Sequence, residues 1–151
     1  MGKHKIMAVA SIGGHWIQLL RIARPLEQQY DVVYCSTHEK CATMVPGNEF
    51  HLMSDFSRWD AWKLLPSFFQ MIRLVGKEKP DAIITTGAAP GLVCLLAGKC
   101  LGRKTIWIDS IANVEHLSAS GRIARKFASR IYTQWPDLAV DGIVSAGNIF
   151  G

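Results

Sequence analysis

Short apolar runs alternate with segments of helical period along the whole chain, and a chain patterned this way folds as α/β, a parallel sheet with helices on both faces. Lys5–Ala10 reads as a buried strand. Trp16, Leu19, Leu20, Ala23 and Leu26 follow at helical spacing, Ile17 and Ile22 widen the apolar face, and Pro25 kinks or ends the helix near Arg24. Asp31–Ser36 is a second strand and Phe50–Met53 a short third. From Ala61 to Lys79, residues Trp62, Leu65, Phe68, Phe69, Ile72 and Val75 share roughly one helical face, with Pro66 as a break or restart. Asp81–Thr86 is a strand, Gly91–Leu101 a helix, Lys104–Asp109 a strand, Ser120–Arg130 a helix and Ile131–Thr133 a strand. Ligands of parallel sheets sit at the carboxyl ends of the strands. The polar clusters Ser11–His15, Ser36–Glu39, Thr85–Pro90 and Asp109–Ser120 all fall there.

At 151 residues, 49% of them apolar and 19% charged, the chain suits one domain, 1–151, with a real core. A net charge of +5 suits an anionic partner: a nucleotide, a lipid diphosphate, an anionic membrane or nucleic acid. Cys35, Cys41, Cys94 and Cys100 form no CxxC and no zinc spacing, so they read as four buried thiols in a reducing compartment. Met1-Gly2-Lys3-His4 runs straight into a strand with no secretory pattern. No apolar run reaches the roughly 18–20 residues that span a bilayer.

Four clusters carry chemistry. In Ser11-Ile12-Gly13-Gly14-His15-Trp16, two glycines let the backbone turn sharply and approach a ligand, and helix-start N–H groups face an anion. Neither GxGxxG nor a Walker A sequence is present. The same turn also works as a plain connection with His15 as the N-cap. Thr85-Thr86-Gly87-Ala88-Ala89-Pro90-Gly91 repeats the strand, small-residue turn and helix start, and reads equally as a turn needed for close packing. Asp109 to Arg122 is a polar loop after an apolar strand, with Asp109, Glu115 and His116 as candidate bases and Ser120 as a candidate cap of the next helix. Arg58, Trp59, Trp62, Lys63, Phe68, Phe69 and Arg73 interleave aromatics with cations, which suits a membrane interface or a half-buried helix. No nucleic-acid module accompanies them, so no nucleic-acid partner is expected.

Five segments occur together in one family order: Gly13–Arg21, Val32–Thr37, Thr85–Gly91, Trp107–Arg122 and Tyr132–Pro136. They resemble the acceptor-side subunit of the dolichol-linked chitobiose-forming N-acetylglucosaminyltransferase. They are still more similar to its bacterial exopolysaccharide relatives, several of which are β-1,4-glucuronosyltransferases. The resemblance implies a single Rossmann-like N-terminal lobe of a two-lobed (GT-B) glycosyltransferase. Its partners would be a donor-binding C-terminal-lobe subunit, a UDP-sugar, a polyprenyl-diphosphate-linked saccharide and the inner face of the plasma membrane. Transfer would be inverting, with no metal and no cofactor. Asp109-Ser110 stands where the family usually has Glu-Ser, and Asn113 replaces a common Arg.

The expected mechanism is one displacement in which a base deprotonates the acceptor hydroxyl. His15 is the first candidate, as base or as diphosphate contact. Asp109 follows, as base or as the group orienting His15, then His116 and Glu115. Ser11, Gly13, Gly14, Thr86, Gly87, Ser110 and Asn113 would shape the phosphate and sugar cleft. A non-catalytic docking subunit and a stand-alone nucleotide-binding protein are the alternative readings.

Overall fold

The structure, a computed structural model, describes residues 2–57 and 60–149. Its elements are β1 (Lys5–Val9), α1 (Gly14–Leu26), β2 (Asp31–Ser36), β3 (Phe50–Leu52), α2 (Leu64–Glu78), β4 (Ala82–Thr85), α3 (Ala89–Cys100), β5 (Lys104–Ile108), α4 (Ala119–Ala124), β6 (Arg130–Thr133) and β7 (Ile143–Ser145). Short 3-10 turns occupy Glu39–Met44, Ala61–Lys63 and Pro136–Leu138.

All seven strands are parallel, in the order β3-β2-β1-β4-β5-β6-β7. The chain winds outward from β1 to β3, then crosses back to place β4 on the other side of β1. The strand order therefore reverses between β1 and β4, and the loops leaving these two strands diverge to leave a crevice. The sequence explains why the strands are central. Lys-Ile-Met-Ala-Val and Asp-Val-Val-Tyr-Cys-Ser are nearly continuous apolar runs, as expected where both sheet faces are covered.

Alternate residues feed two cores. Ile6, Ala8, Ala10, Val32, Tyr34 and Ile84 pack beneath Trp16, Leu19, Leu20 and Ala23 of α1 and beside Cys41 and Val45. Met7, Val9, Cys35, Ile83, Trp107 and Ile131 face α2, α3 and α4 through Met71, Val75, Val93, Leu95 and Ala124. Helix α1 covers the β1–β2 side of its face. Beyond it Arg21, Ile22, Ile108 and Tyr132 line an open groove of about 410 Å³.

The expected α/β layout holds, with local differences. Pro25 is the penultimate residue of α1, so the helix runs two residues past Arg24 before ending. Pro66 is the third residue of α2, in the first turn, where a missing N–H breaks no intrahelical bond. Phe68, Ile72 and Val75 do face the core, but Trp62, Leu65 and Phe69 are exposed, because the buried stripe runs through Ser67, Met71, Val75 and Glu78. Helix α4 stops at Ala124, six residues earlier than its apolar spacing suggests. The chain there turns into β6, and Ser129 exchanges hydrogen bonds with Thr105. Cys35, Cys41 and Cys94 are buried, whereas Cys100 at the end of α3 is exposed. Strand β7 was not foreseen. Among the described residues no helix is long and apolar enough to cross a membrane.

Candidate functional site

The turns after β1 and β4 meet in the crevice. Gly13 (φ 104°) and Gly87 (φ 120°) hold backbone conformations that side-chain-bearing residues rarely adopt, and Ser11 N–H donates to the Gly87 carbonyl at 3.3 Å. Gly13 is the N-cap of α1, so His15 is the second residue of the helix and not its cap. Ala88 is the N-cap of α3. Neither helix start has a capping side-chain hydrogen bond or an acidic residue in its first turn. The leading N–H groups of a helix lack intrahelical partners and carry partial positive charge. Two such ends, side by side at the strand reversal, form an electropositive floor.

His15 stands at the centre of this floor. Its Nδ1 lies 2.9 Å from the Thr86 carbonyl, which can only accept. Nδ1 therefore carries a hydrogen, and in the neutral ring Nε2 keeps the lone pair, the tautomer a general base needs. The Thr86 hydroxyl donates back to the His15 carbonyl at 2.6 Å. One residue thus fixes both the ring and the backbone of His15. A Cβ on Gly87 would lie 2.8 Å from His15 Nδ1, so only glycine leaves the imidazole its place.

Asp109 does something other than what the sequence suggests. It is 1% exposed and accepts from Trp107 Nε1 (2.9 Å), Ser118 Oγ (2.7 Å), Ser118 N (3.0 Å) and Asn113 Nδ2 (3.1 Å). With about four lone-pair positions on a carboxylate, all are taken. Asp109 organises the loop after β5, and the group that orients His15 is the Thr86 carbonyl. Ser118, not Ser120, caps α4: its Oγ accepts from Gly121 N at 2.9 Å while donating to Asp109. Asn113 commits its amide to Asp109, which takes it away from an anion. Ser110 Oγ accepts from Gln18 Nε2 (3.0 Å) and Ala112 N (3.2 Å).

His15, Thr86, Gly87, Asp109, Ser110 and Asn113 line one cavity of about 130 Å³. Glu115 and His116 are exposed and line a separate depression over Ala112–His116. Of the aromatic and basic residues, Arg58 and Trp59 lie outside the described residues. Trp62 is 74% exposed with Lys63 Nζ 5.2 Å from its ring centre, and Phe69 and Arg73 are exposed. Phe68 is half-buried against the core, where it meets Phe69 edge-on.

Sequence reasoning gave no role to Gln18 and Gln134. Gln18 Oε1 accepts from Ile111 N (3.1 Å) and Gln134 Nε2 (2.8 Å), and Gln134 Nε2 also donates to the Asp109 carbonyl (3.0 Å). This buried pair locks α1 to the Asp109 loop. The available signal was an amide placed among apolar helix positions, Trp16, Leu19 and Leu20.

Comparison with known proteins bears on the family and the fold. Residues 59–145 match the family described as oligosaccharide biosynthesis protein Alg14 like. The UDP-N-acetylglucosamine transferase subunit alg14 of Schizosaccharomyces pombe is 43% identical over 67 residues, covering 40% of this chain and 31% of that protein. An undecaprenol-pyrophosphoryl N-acetylglucosamine transferase of Geobacillus thermodenitrificans is 24% identical over 156 residues, 91% of this chain and 42% of that protein. The crystal structure of MurG from Acinetobacter baumannii superposes with a TM-score of 0.77 at 20% identity, covering 97% of this chain and 46% of that one. The match therefore spans less than half the length of each of these relatives. The doubly wound sheet is the Rossmann-like fold of such GT-B glycosyltransferase neighbours, and the chain belongs to the Alg14 family of oligosaccharide biosynthesis proteins.

Proposed function

We propose that residues 1–151 act as the acceptor-binding lobe of a UDP-sugar glycosyltransferase whose donor lobe is a separate partner subunit. The observation that carries this reading is His15, with Nδ1 tied to Thr86 and Nε2 free, set over two uncapped helix starts. The cavity around it supports a half-site, since 130 Å³ falls short of the roughly 300–1,000 Å³ of a complete ligand pocket. A second lobe closing over it would supply the missing wall.

In this mechanism His15 Nε2 takes the proton of the acceptor hydroxyl as that oxygen bonds to the donor's anomeric carbon. The bond from that carbon to the diphosphate breaks with inversion. The N–H groups starting α1, with those of Ala89 and Gly91 in α3 on either side of Pro90, would stabilise a diphosphate, either the departing one or that of a polyprenyl-linked acceptor. Glu115 and His116 line a depression that adjoins the His15 cavity at Asn113. Glucuronate is the donor implied by the exopolysaccharide resemblance. N-acetylglucosamine is the sugar in the names of the relatives above, so the assay carries both.

The exposed Trp62, Leu65 and Phe69 beside Lys63 and Arg73 favour attachment to the cytoplasmic face of a membrane. They also favour a second reading, a docking subunit that recruits a catalytic partner without chemistry of its own. One experiment separates the two: co-expression with the partner subunit and assay of UDP-sugar transfer to a polyprenyl-diphosphate saccharide. Loss of a general base lowers the rate about 10²–10⁴-fold, so His15→Ala should do so with the complex still assembled. Full activity of His15→Ala would remove the base and leave the docking reading.

A further inference from the structure

Away from the His15 cavity, and sharing none of its lining residues, three metal-ligating side chains converge at the outer edge of the sheet. His51 is the middle residue of edge strand β3, Glu49 lies just before that strand, and Glu78 is the last residue of α2. His51 Nε2 lies 3.1 Å from Glu49 Oε1 and 3.0 Å from Glu78 Oε1. The three ligand atoms lie within 4.8 Å of one another. The side chains grade from 4% exposed at Glu78 through 20% at His51 to 50% at Glu49, so the site has a buried wall and a mouth to solvent.

We propose that Glu49, His51 and Glu78 bind a divalent transition-metal ion of the Zn²⁺ class, which staples the edge strand β3 to the end of α2. A hydrogen count is the first argument. Imidazole Nε2 carries at most one hydrogen, and both carboxylate oxygens facing it are acceptors. One hydrogen reaches only one of the two acceptors and leaves the other to solvent, whereas a cation among the three atoms takes a lone pair from each. Geometry is the second. Metal–ligand bonds near 2.0–2.1 Å at tetrahedral angles put ligand atoms about 3.3 Å apart, a few tenths of an ångström from the separations to His51 Nε2.

The donor set selects the metal. One imidazole and two carboxylates suit zinc and its neighbours, while calcium and magnesium favour oxygen alone. Lys5 Nζ holds the other oxygen of Glu78, Oε2, at 3.2 Å. It thereby orients the carboxylate from behind, as outer partners of metal ligands do. Three protein ligands leave a fourth position for water.

The test uses the full chain, stripped with chelator and titrated with Co²⁺ and then Zn²⁺. One equivalent of Co²⁺ should bind with visible absorption of a four- or five-coordinate site, and Zn²⁺ should displace it and raise the thermal midpoint. Changes to the outer partners of metal ligands weaken binding about 10–100-fold, so Glu49→Gln and His51→Asn should each weaken it at least that much. Glu49 is half exposed, so Glu49→Gln tests the site without threatening the fold. His4→Gln, at an exposed histidine outside the cluster, should bind as the parent does. No binding at one equivalent, or binding unchanged by Glu49→Gln and His51→Asn, would overturn the proposal and leave a proton-bridged ion triad.

Discussion

The hydrogen on His15 Nδ1 is committed to the Thr86 carbonyl, and that single contact decides what the imidazole can do. Any change that swings the ring away would remove the proposed base without touching its identity. Gly87 controls the ring from the other side, because an added Cβ would meet Nδ1 and Cε1 at 2.8 and 2.9 Å. Gly87 also has φ 120°, which a non-glycine residue holds only under strain. Gly87→Ala is therefore expected to lower transfer at least about tenfold, since small misplacements of a catalytic group carry large rate penalties. Steady-state kinetics with a folding check by circular dichroism measures this. Wild-type kcat in a folded Gly87→Ala variant would mean that the ring orientation is not needed. Gly121 has a parallel role one loop away, where a Cβ would lie 2.7 Å from Asp109 Oδ1.

Helix α2 shows how one element can serve two environments. Its buried stripe, Ser67, Met71, Val75 and Glu78, packs on the sheet, and α2 with its preceding turn leaves Trp62, Leu64, Leu65 and Phe69 uncovered. Large apolar side chains side by side in water call for a partner, and the flanking Lys63 and Arg73 favour an anionic lipid surface. We expect the triple variant Trp62→Ser, Leu65→Ser, Phe69→Ser to lose binding to anionic liposomes while its fold is retained, because these side chains are exposed. Parent binding should weaken as salt rises above about 0.15 M, where charges are screened beyond roughly 8 Å. Sedimentation with vesicles of mixed neutral and anionic lipid reads both effects. Unchanged sedimentation of the triple variant would place attachment on another surface of this chain.

For the molecule as a whole, titratable groups shifted by folding set a window of stability. Burial alone would raise the Glu78 carboxyl, but its hydrogen bonds with Lys5 and His51 and the Lys5 charge hold it below the usual carboxylate value. Asp81 is lowered chiefly by the Lys5 backbone N–H, at 2.8 Å. Carboxyls lowered by folding stabilise the fold above their unfolded values, about 4, and this stability is lost as the pH falls through the folded values. At the other end, burial pushes the Cys35 thiol well up, with a contribution from Cys94, and burial pushes Cys94 up to about 12. Acids raised by folding stabilise the fold below their unfolded values, near 8.5 for a thiol, and this stability is lost at higher pH. Denaturation midpoints against pH should therefore fall on both sides of neutrality. In chelator-stripped protein, Glu78→Gln should flatten the acid limb and Cys94→Ala the alkaline limb. A limb unchanged in its variant would assign that titration to other groups.

The strand and helix alternation was legible in the residues because covered parallel strands are almost wholly apolar and amphipathic helices have their own period. Asp31–Ser36 matches its strand end to end, and β1, α1, β4, α3 and β5 fall within a few residues of the reading. The Gly13-Gly14-His15 and Thr86-Gly87 turns were legible as strand-to-helix turns, since both follow apolar runs and precede helical patterns. Element ends were less so. Ser118 rather than Ser120 caps α4 because Asp109, nine positions earlier, holds its hydroxyl. Side-chain roles were least legible. Asp109 has the chemistry of a base, but four donors from Trp107, Asn113 and Ser118 occupy it, and His15 receives its orientation from a residue 71 positions away. Local pattern fixes which backbone segments form strands and helices, because each segment carries its own propensity and apolar face. Which donor reaches which acceptor is decided only when β1 and β4 pair and bring the two turns together.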